Sequence, residues 1–449
     1  MRLSSWRYLW TSGDIRNRII ITLLLLVLYR LCSHVAVPGV DRTVVAEIMK
    51  NVSGGAGNLM MLFDLLSGGT VSRFSVLAMG VYPYITAQII IQLLVPIIPR
   101  LQRMMEDDPR QGREFMERWT YYLAVPMAAL NAYSQIQLML SRNITGRQLF
   151  TFGANLGFGT FEQGLGTLTM IISMTAGTMF AIWLGELISE FGIRKQGLSL
   201  IIFAGIVARI PSNVVAIMAD QEARWTGLLV FLVVLVLAVV AIVFVQQGRR
   251  NVPVLYPGRR IGLRQSMPVR GNLPLQVNMA GMIPVIFAQS FMAFPAMIAQ
   301  FFVNSATLWV KNSAVSVSNL FGGGNDWYWV IFFVTVVGFT FFYTDVVFSQ
   351  QNYGESLKRS GAQIPGVTKG APTQKYLNRV LRRITLPGAL FLGIVAVLPA
   401  LVSPWIPGAA QSSILSTGLL IVVGVVRDTF FGLEAELKLR GYDDAVLVH

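Results

Sequence analysis

Six arginines and no acidic residue occur in RRNVPVLYPGRRIGLRQSMPVR, residues 249–270. A second basic stretch, residues 349–384, holds Lys358, Arg359, Lys369, Lys375, Arg379, Arg382 and Arg383. Cationic groups at this density suit docking: they attract an acidic surface such as RNA over long range, and arginine adds paired hydrogen bonds to phosphate or carboxylate. Basic runs also arise as topology signals or solvated faces, and both readings are open at this point.

Residues that make and break bonds are scarce. One cysteine, Cys32, and two histidines, His34 and His449, exclude a disulfide framework and a His/Cys metal cluster of known spacing. The sequence has no GxxxxGK[ST] phosphate loop, no HExxH and no serine or cysteine triad pattern. The expectation is no enzyme, no cofactor and no metal, with any energy supplied by a partner.

The elements carrying these loops follow from composition. Of 449 residues, 54% are hydrophobic and 13% charged, about half the charge of an ordinary soluble domain. The fold class expected is an all-α polytopic membrane protein. Windows long enough to cross a roughly 30 Å hydrocarbon core fall near 19–37, 75–95, 119–139, 165–188, 198–218, 226–246, 277–301, 328–348, 385–402 and 412–431. These predict ten transmembrane helices. No small-residue cleavage site follows the first window, so it reads as a retained span.

An even number of spans puts both termini on one side. If that side is the cytosol, the inner segments hold 26 of the 36 Lys and Arg and the outer loops seven, namely Arg42, Lys50, Arg73, Arg142, Arg147, Arg224 and Lys311. The positive-inside rule therefore makes both termini and both basic loops cytosolic.

The spans are unequal. Residues 226–246 are uniformly apolar, whereas the second, fifth and seventh windows carry Gly, Pro, Ser, Thr, Asn or Gln, which membrane depth tolerates mainly where protein or water covers the backbone. Two of these windows echo each other: GVYPYITAQ (80–88) and GMIPVIFAQ (281–289) share five of nine residues at identical spacing. Chance among apolar helices is one explanation. The other is an inverted repeat of two five-helix halves, since the second helix of an odd-numbered half runs opposite to the seventh. Ile85 and Ile286 then lie about ten residues, or roughly 15 Å, into their windows. No central carboxylate occupies that depth. Val81, Ile85, Ile202, Ile206, Ile286 and Ile421 do, either as ordinary packing or as an apolar constriction that closes by dewetting.

The stretches YRLCSHVAVPGVD, SRFSVLAMGVYPYITAQIIIQLL, LSLIIFAGIVARIP, NLPLQVNMAGMIPVIFAQS, TQKYLNRVLRRITLPGALFLGIVAVLP and LLIVVGVV, in this order, resemble the SecY/Sec61 alpha family of protein-conducting channels over nearly the whole chain. The resemblance implies two inverted-repeat halves of five helices (19–218 and 219–431) around a central hourglass pore, flanked by cytosolic segments 1–18 and 432–449. It implies a pore ring of Val81, Ile85, Ile202, Ile206, Ile286 and Ile421. A plug is implied at Leu59, Met60, Met61, Leu62, Phe63, Asp64, Leu65, Leu66, Ser67, Gly68 and Gly69, with the two glycines as its hinge; alone, this segment reads equally as a surface amphipathic turn. Loops 247–276 and 349–384 would then dock partners through Arg249, Arg250, Arg259, Arg260, Arg264, Lys358, Arg359 and Lys369.

The implied function is passage of unfolded secretory polypeptides with signal sequences across the cell (inner) membrane, and release of transmembrane segments into the membrane lipids. The implied partners are SecE-like and SecG-like subunits, the SecA motor and the ribosome. An inverted-repeat solute transporter is the runner-up. One departure stands out: the family commonly reads Ile-Pro-Gly, one residue, then Arg-Pro-Gly in the second loop, whereas here IPGVTKG (364–370) has Thr368 and Lys369 in place of Arg and Pro.

Overall fold

The computed structural model describes residues 12–41, 43–45, 64, 67, 69–95, 97–141, 161–194, 196–208, 210–211, 215, 218, 224–256, 260–261, 264–265, 269–303, 307–323, 325–351, 353–402 and 413–439. The chain is mostly helical. In order the helices are α1 (Gly13–Cys32), α2 (Tyr82–Leu94), α3 (Pro99–Asp107), α4 (Pro109–Ser141), α5 (Phe161–Phe191), α6 (Gly197–Val207) and α7 (Arg224–Gln247). Four strands come next, β1 (Arg249–Tyr256), β2 (Arg260–Ile261), β3 (Arg264–Gln265) and β4 (Val269–Gln276). The remaining helices are α8 (Ile283–Phe302), α9 (Leu308–Phe321), α10 (Trp327–Gln351), α11 (Tyr353–Arg359), α12 (Ala371–Val402) and α13 (Ser413–Leu439).

Each of the ten apolar windows contains a helix. By length and composition, four helical stretches among the described residues are long and apolar enough to cross a membrane, Leu165–Phe191, Ile283–Phe302, Trp327–Arg359 and Ala371–Leu398. A fifth is the pair Tyr82–Leu94 and Pro99–Met105, if its 97° bend is counted as one broken span. Helix α1 falls short because Asp14, Arg16, Arg18 and Arg30 ride on it, and α6 is only 11 residues long.

Contacts divide the chain into two compact units: residues 1–228, 290–328 and 421–449, and residues 229–289 and 329–420. In the first unit a non-helical stretch before α2 packs into the bundle. Val71, Phe74, Ala78 and Met79 share a core with Val37, with Ala132, Ile136 and Met139 of α4, and with Met170 and Met174 of α5. Close approach is needed here: a Cβ on Gly177 of α5 would lie 2.1 Å from the carbonyl oxygen of Val76. Helix α1 is tied near its N-terminal end to α13 by an Arg18–Glu436 ion pair of 2.8 Å. It is tied again through the Thr22 hydroxyl, which accepts the Ile193 N–H at 3.1 Å after α5 ends.

The second unit contains strands that the expectation of an all-α chain did not foresee. β1 and β4 form an antiparallel hairpin in continuous register from Arg249↔Gln276 to Tyr256↔Val269. Its signal is short: Val252 and Val254 are buried while Asn251 and Pro253 are exposed, the period-two alternation of a half-buried strand. The second basic loop closes onto the first, because Leu255 and Gln363 exchange backbone hydrogen bonds of 2.8 and 2.9 Å. Val252, Val254 and Leu275 of the hairpin share one core with Leu357, Ile364, Leu377, Val380 and Leu381 of the second loop and α12.

This shared core predicts that Ile364→Ala costs about 2–5 kcal/mol, the usual cost of truncating a buried isoleucine. Amide hydrogen exchange then speeds up in residues 249–256 as well as in 362–370. Loss of protection confined to the second loop contradicts a common core.

Candidate functional site

The two matched segments adopt the same local geometry. Gly80 and Gly281 both have left-handed backbones, φ 52° and 64°, a conformation that side chains beyond Cα disfavour. Each is followed by a helix whose second residue is proline, Pro83 in α2 and Pro284 in α8, where the missing N–H costs no intrahelical bond. Ile85 and Ile286 are therefore each the fourth residue of their helices. Their first helical bonds run from the Ile85 N–H to the Val81 carbonyl at 3.2 Å, and from the Ile286 N–H to the Met282 carbonyl at 3.5 Å. Residues 75–81 and 277–282, counted in the expected depth of about ten residues, are not helical, so the roughly 15 Å reckoned at the helical rise does not apply to them. The local equivalence of the two isoleucines is kept.

Val81, Ile202, Ile206 and Ile421 are buried and Ile85 half-buried, all in the first unit; Ile286 is buried in the second. The start of α2 is fixed by Tyr82 packing on Ala293 and Ala296 of α8 and against Phe321 of α9. At the start of α8, the Asn278 side-chain amide donates to the Gly281 carbonyl at 3.0 Å. Phe287 there meets Phe339 and Tyr343 of α10 edge-on, with centroids 6.2 and 5.5 Å away.

Of the expected plug residues, Asp64, Ser67 and Gly69 are described; Leu59, Met60, Met61, Leu62, Phe63, Leu65, Leu66 and Gly68 lie outside the described residues. Asp64 and Ser67 are both buried at 2% exposure, which a surface amphipathic turn would not require. Gly69, expected as part of a hinge, is a bonded turn: φ is 87° and its N–H donates to the Asp64 carbonyl at 2.7 Å.

Among the docking residues, Arg249 and Arg250 are exposed on β1. Arg260 and Arg264 stand in the two-residue ladder of β2 and β3, opposite Gln265 and Ile261, and Arg259 lies outside the described residues. Lys358 and Lys369 are exposed, whereas Arg359 pairs with Glu355 one helical turn away at 2.8 Å. The tip 364–370 forms without the usual arginine and proline. Gly366 and Gly370 take φ 79° and 93°, the Val367 N–H reaches the Ile364 carbonyl at 3.1 Å, and the Thr373 hydroxyl donates to the Thr368 carbonyl at 2.8 Å. Strands β1 and β4 and the tip 364–370 thus rest on one shared core.

Comparisons with known proteins place the chain in a family. The family model described as SecY matches residues 75–430. The protein translocase subunit SecY of Streptomyces galbus is 35% identical over 98% of this chain and 99% of its own length. The SecY subunits of Chlamydia muridarum, 36% identical over 98% and 97%, and Mycobacterium tuberculosis, 37% identical over 96% of each chain, are similar too. A solved protein-conducting channel shares the fold with a TM-score of 0.61 at 16% identity, covering 94% of this chain and 92% of the other. A second structure, reported as showing that the SecY plug domain stabilises the closed channel and maintains a membrane seal, has a TM-score of 0.59 at 17% identity over the same shares. With a family model spanning most of the chain and full-length relatives above 30% identity, this chain belongs to the SecY family, the channel-forming subunits of protein translocases.

Proposed function

We propose that this chain forms an hourglass pore from ten spans in two inverted halves of five, sealed at rest by Val81, Ile85, Ile202, Ile206, Ile286 and Ile421. The observation that carries this reading is the matched Gly-x-x-Pro helix start at Gly80 and Gly281, which sets Ile85 and Ile286 at the same position of α2 and α8. Helices that begin late leave irregular backbone beside them, and such backbone is tolerated in a membrane only where protein or a water-filled cavity covers it. Branched aliphatic side chains at that break present no donor or acceptor to water. A constriction lined this way stays dry until a polypeptide forces it open. The residues 59–69 act as a plug beneath it, and the translocating chain, unfolded and carrying a signal sequence, leaves across the membrane or sideways into lipid.

The pore has no motor of its own. The positive-inside count supports cytosolic termini in the cell (inner) membrane. It also supports a cytosolic position for the framework of β1, β4 and the tip 364–370, which meets SecA and the ribosome; SecE-like and SecG-like subunits complete the channel. Because the two basic stretches share a core, their cations are presented at fixed spacing, which lowers the ordering cost of binding. Lys369 supplies the tip charge as a point charge, without the paired hydrogen bonds of arginine.

Three outcomes are expected. In planar bilayers, the Ile85→Ser, Ile286→Ser double variant of the reconstituted translocon conducts ions at rest while wild type does not; equal resting conductance contradicts the seal. Arg249→Glu with Arg250→Glu weakens SecA or ribosome binding about tenfold at low salt, and the difference shrinks as salt screens the charges. Binding unchanged across a salt series returns these arginines to a topology role. Lys369→Glu blocks translocation of a secreted precursor whereas Thr368→Arg with Lys369→Pro supports it; wild-type translocation by the Glu variant shows that the tip charge is passive.

A further inference from the structure

We propose that Asp64 is a positioning residue of the closed channel, a hydrogen-bonding latch that seats the end of the plug against the non-helical stretch leading into α2. The inference rests on the plug reading of residues 59–69. A carboxylate this buried is costly unless its oxygens are bonded, and here the Ser72 N–H donates to Oδ1 at 2.9 Å. The same residue holds the chain from its backbone: its carbonyl accepts the Gly69 N–H at 2.7 Å and the Ser67 hydroxyl at 3.3 Å. The Ser72 hydroxyl returns to the Gly69 carbonyl at 2.9 Å.

A second set of bonds joins this turn to Ser75, Leu77 and Gly80. The Thr70 hydroxyl lies 3.1 Å from the Ser67 carbonyl and 2.9 Å from the Leu77 carbonyl, and the Ser75 N–H donates to the Thr70 carbonyl at 3.0 Å. Leu77 is in turn bonded to the Gly80 N–H at 2.8 Å, at the left-handed turn that delivers Val81 and Ile85. From the first helix, Tyr29, itself 1% exposed, reaches the Ser67 carbonyl at 3.5 Å. Phe74 is held at φ 44°, a left-handed backbone that a bulky residue keeps only when its surroundings over-determine it. Hydrogen-bonded turns therefore lead from Asp64 by way of Thr70, Ser75 and Leu77 to Gly80, the residue before Val81. Moving the plug away from the pore must strain or break it at the Asp64 end.

The role of Asp64 as acceptor, and not as charge, sets the test. Resting ion conductance is measured for the complete reconstituted translocon carrying Asp64→Ala, Asp64→Asn, Thr70→Val, or a deletion of residues 59–63 that keeps the latch. Loss of the buried hydrogen bond to the Ser72 N–H in the closed state is expected to raise resting conductance about tenfold in Asp64→Ala. Thr70→Val, which removes the second tie while keeping the carboxylate, is expected to leak as well. Asn keeps a carbonyl oxygen for the Ser72 N–H and is expected to retain most of the seal. Leak from the deletion with wild-type conductance in Asp64→Ala and Thr70→Val overturns the latch and leaves the plug standing. Wild-type conductance in all of them overturns both. Equal leak from the Ala and Asn variants of Asp64 overturns the acceptor role in favour of a charge effect.

Discussion

Every backbone N–H and C=O in an apolar environment needs a partner, and the departures of this chain from continuous helix are organised by that requirement. The stretch 70–81 is the main case. It is not helical, yet many of its groups are paired: Val37 N–H to Phe74 C=O at 3.1 Å, Val76 N–H to Val35 C=O at 2.9 Å, and the turns ending on Ser75, Leu77 and Gly80. Gly177 lets α5 come against the Val76 carbonyl without a side chain between them. The cost of breaking a helix is thereby met locally, and the break sets down Val81 and Ile85 at a defined point. At the start of α8 the Asn278 amide does the same for Gly281 with one bond.

Much of this was legible from residue types. Each apolar window overlaps a helix among the described residues, while four or five of these helices are long and apolar enough to span a membrane. The repeat GVYPYITAQ and GMIPVIFAQ was legible as a pattern, and its two copies do share a backbone geometry. Where the helices begin was not legible from hydropathy, which is blind to a left-handed glycine followed by proline and so placed Ile85 and Ile286 too deep within helix. The β1–β4 hairpin was hidden for a related reason: its two inward valines, Val252 and Val254, are a short signal amid six arginines, and the partner core lies a hundred residues on, in Ile364, Leu377 and Leu381. The buried setting of Asp64 was equally out of reach, since its acceptor role depends on Ser72 folding back onto it.

The basic face illustrates how electrostatics and packing divide the work. Charge in Arg249, Arg250, Lys358 and Lys369 acts over a Debye length of about 8–10 Å and sets encounter, while the apolar core beneath holds those cations in one frame. Not every cation is equal. Arg359 is engaged by Glu355 and Arg382 by Asp345 at 2.9 Å, so their charge is locally offset. The turn at 364–370 persists with threonine and lysine at the tip because its geometry rests on Gly366, Gly370 and the Thr373 hydroxyl, none of which needs the arginine or proline common in the family.

The central claim is that aliphatic residues from the two matched helix starts meet in one ring. Paired cysteines at Val81 and Ile286, in a Cys32→Ser background, test it directly through oxidation or a short thiol cross-linker in native membranes. The account predicts a cross-link between the two positions in the resting channel, lost when a stalled precursor occupies the pore. Absence of the cross-link at rest, with both cysteines shown to be reactive singly, contradicts the ring.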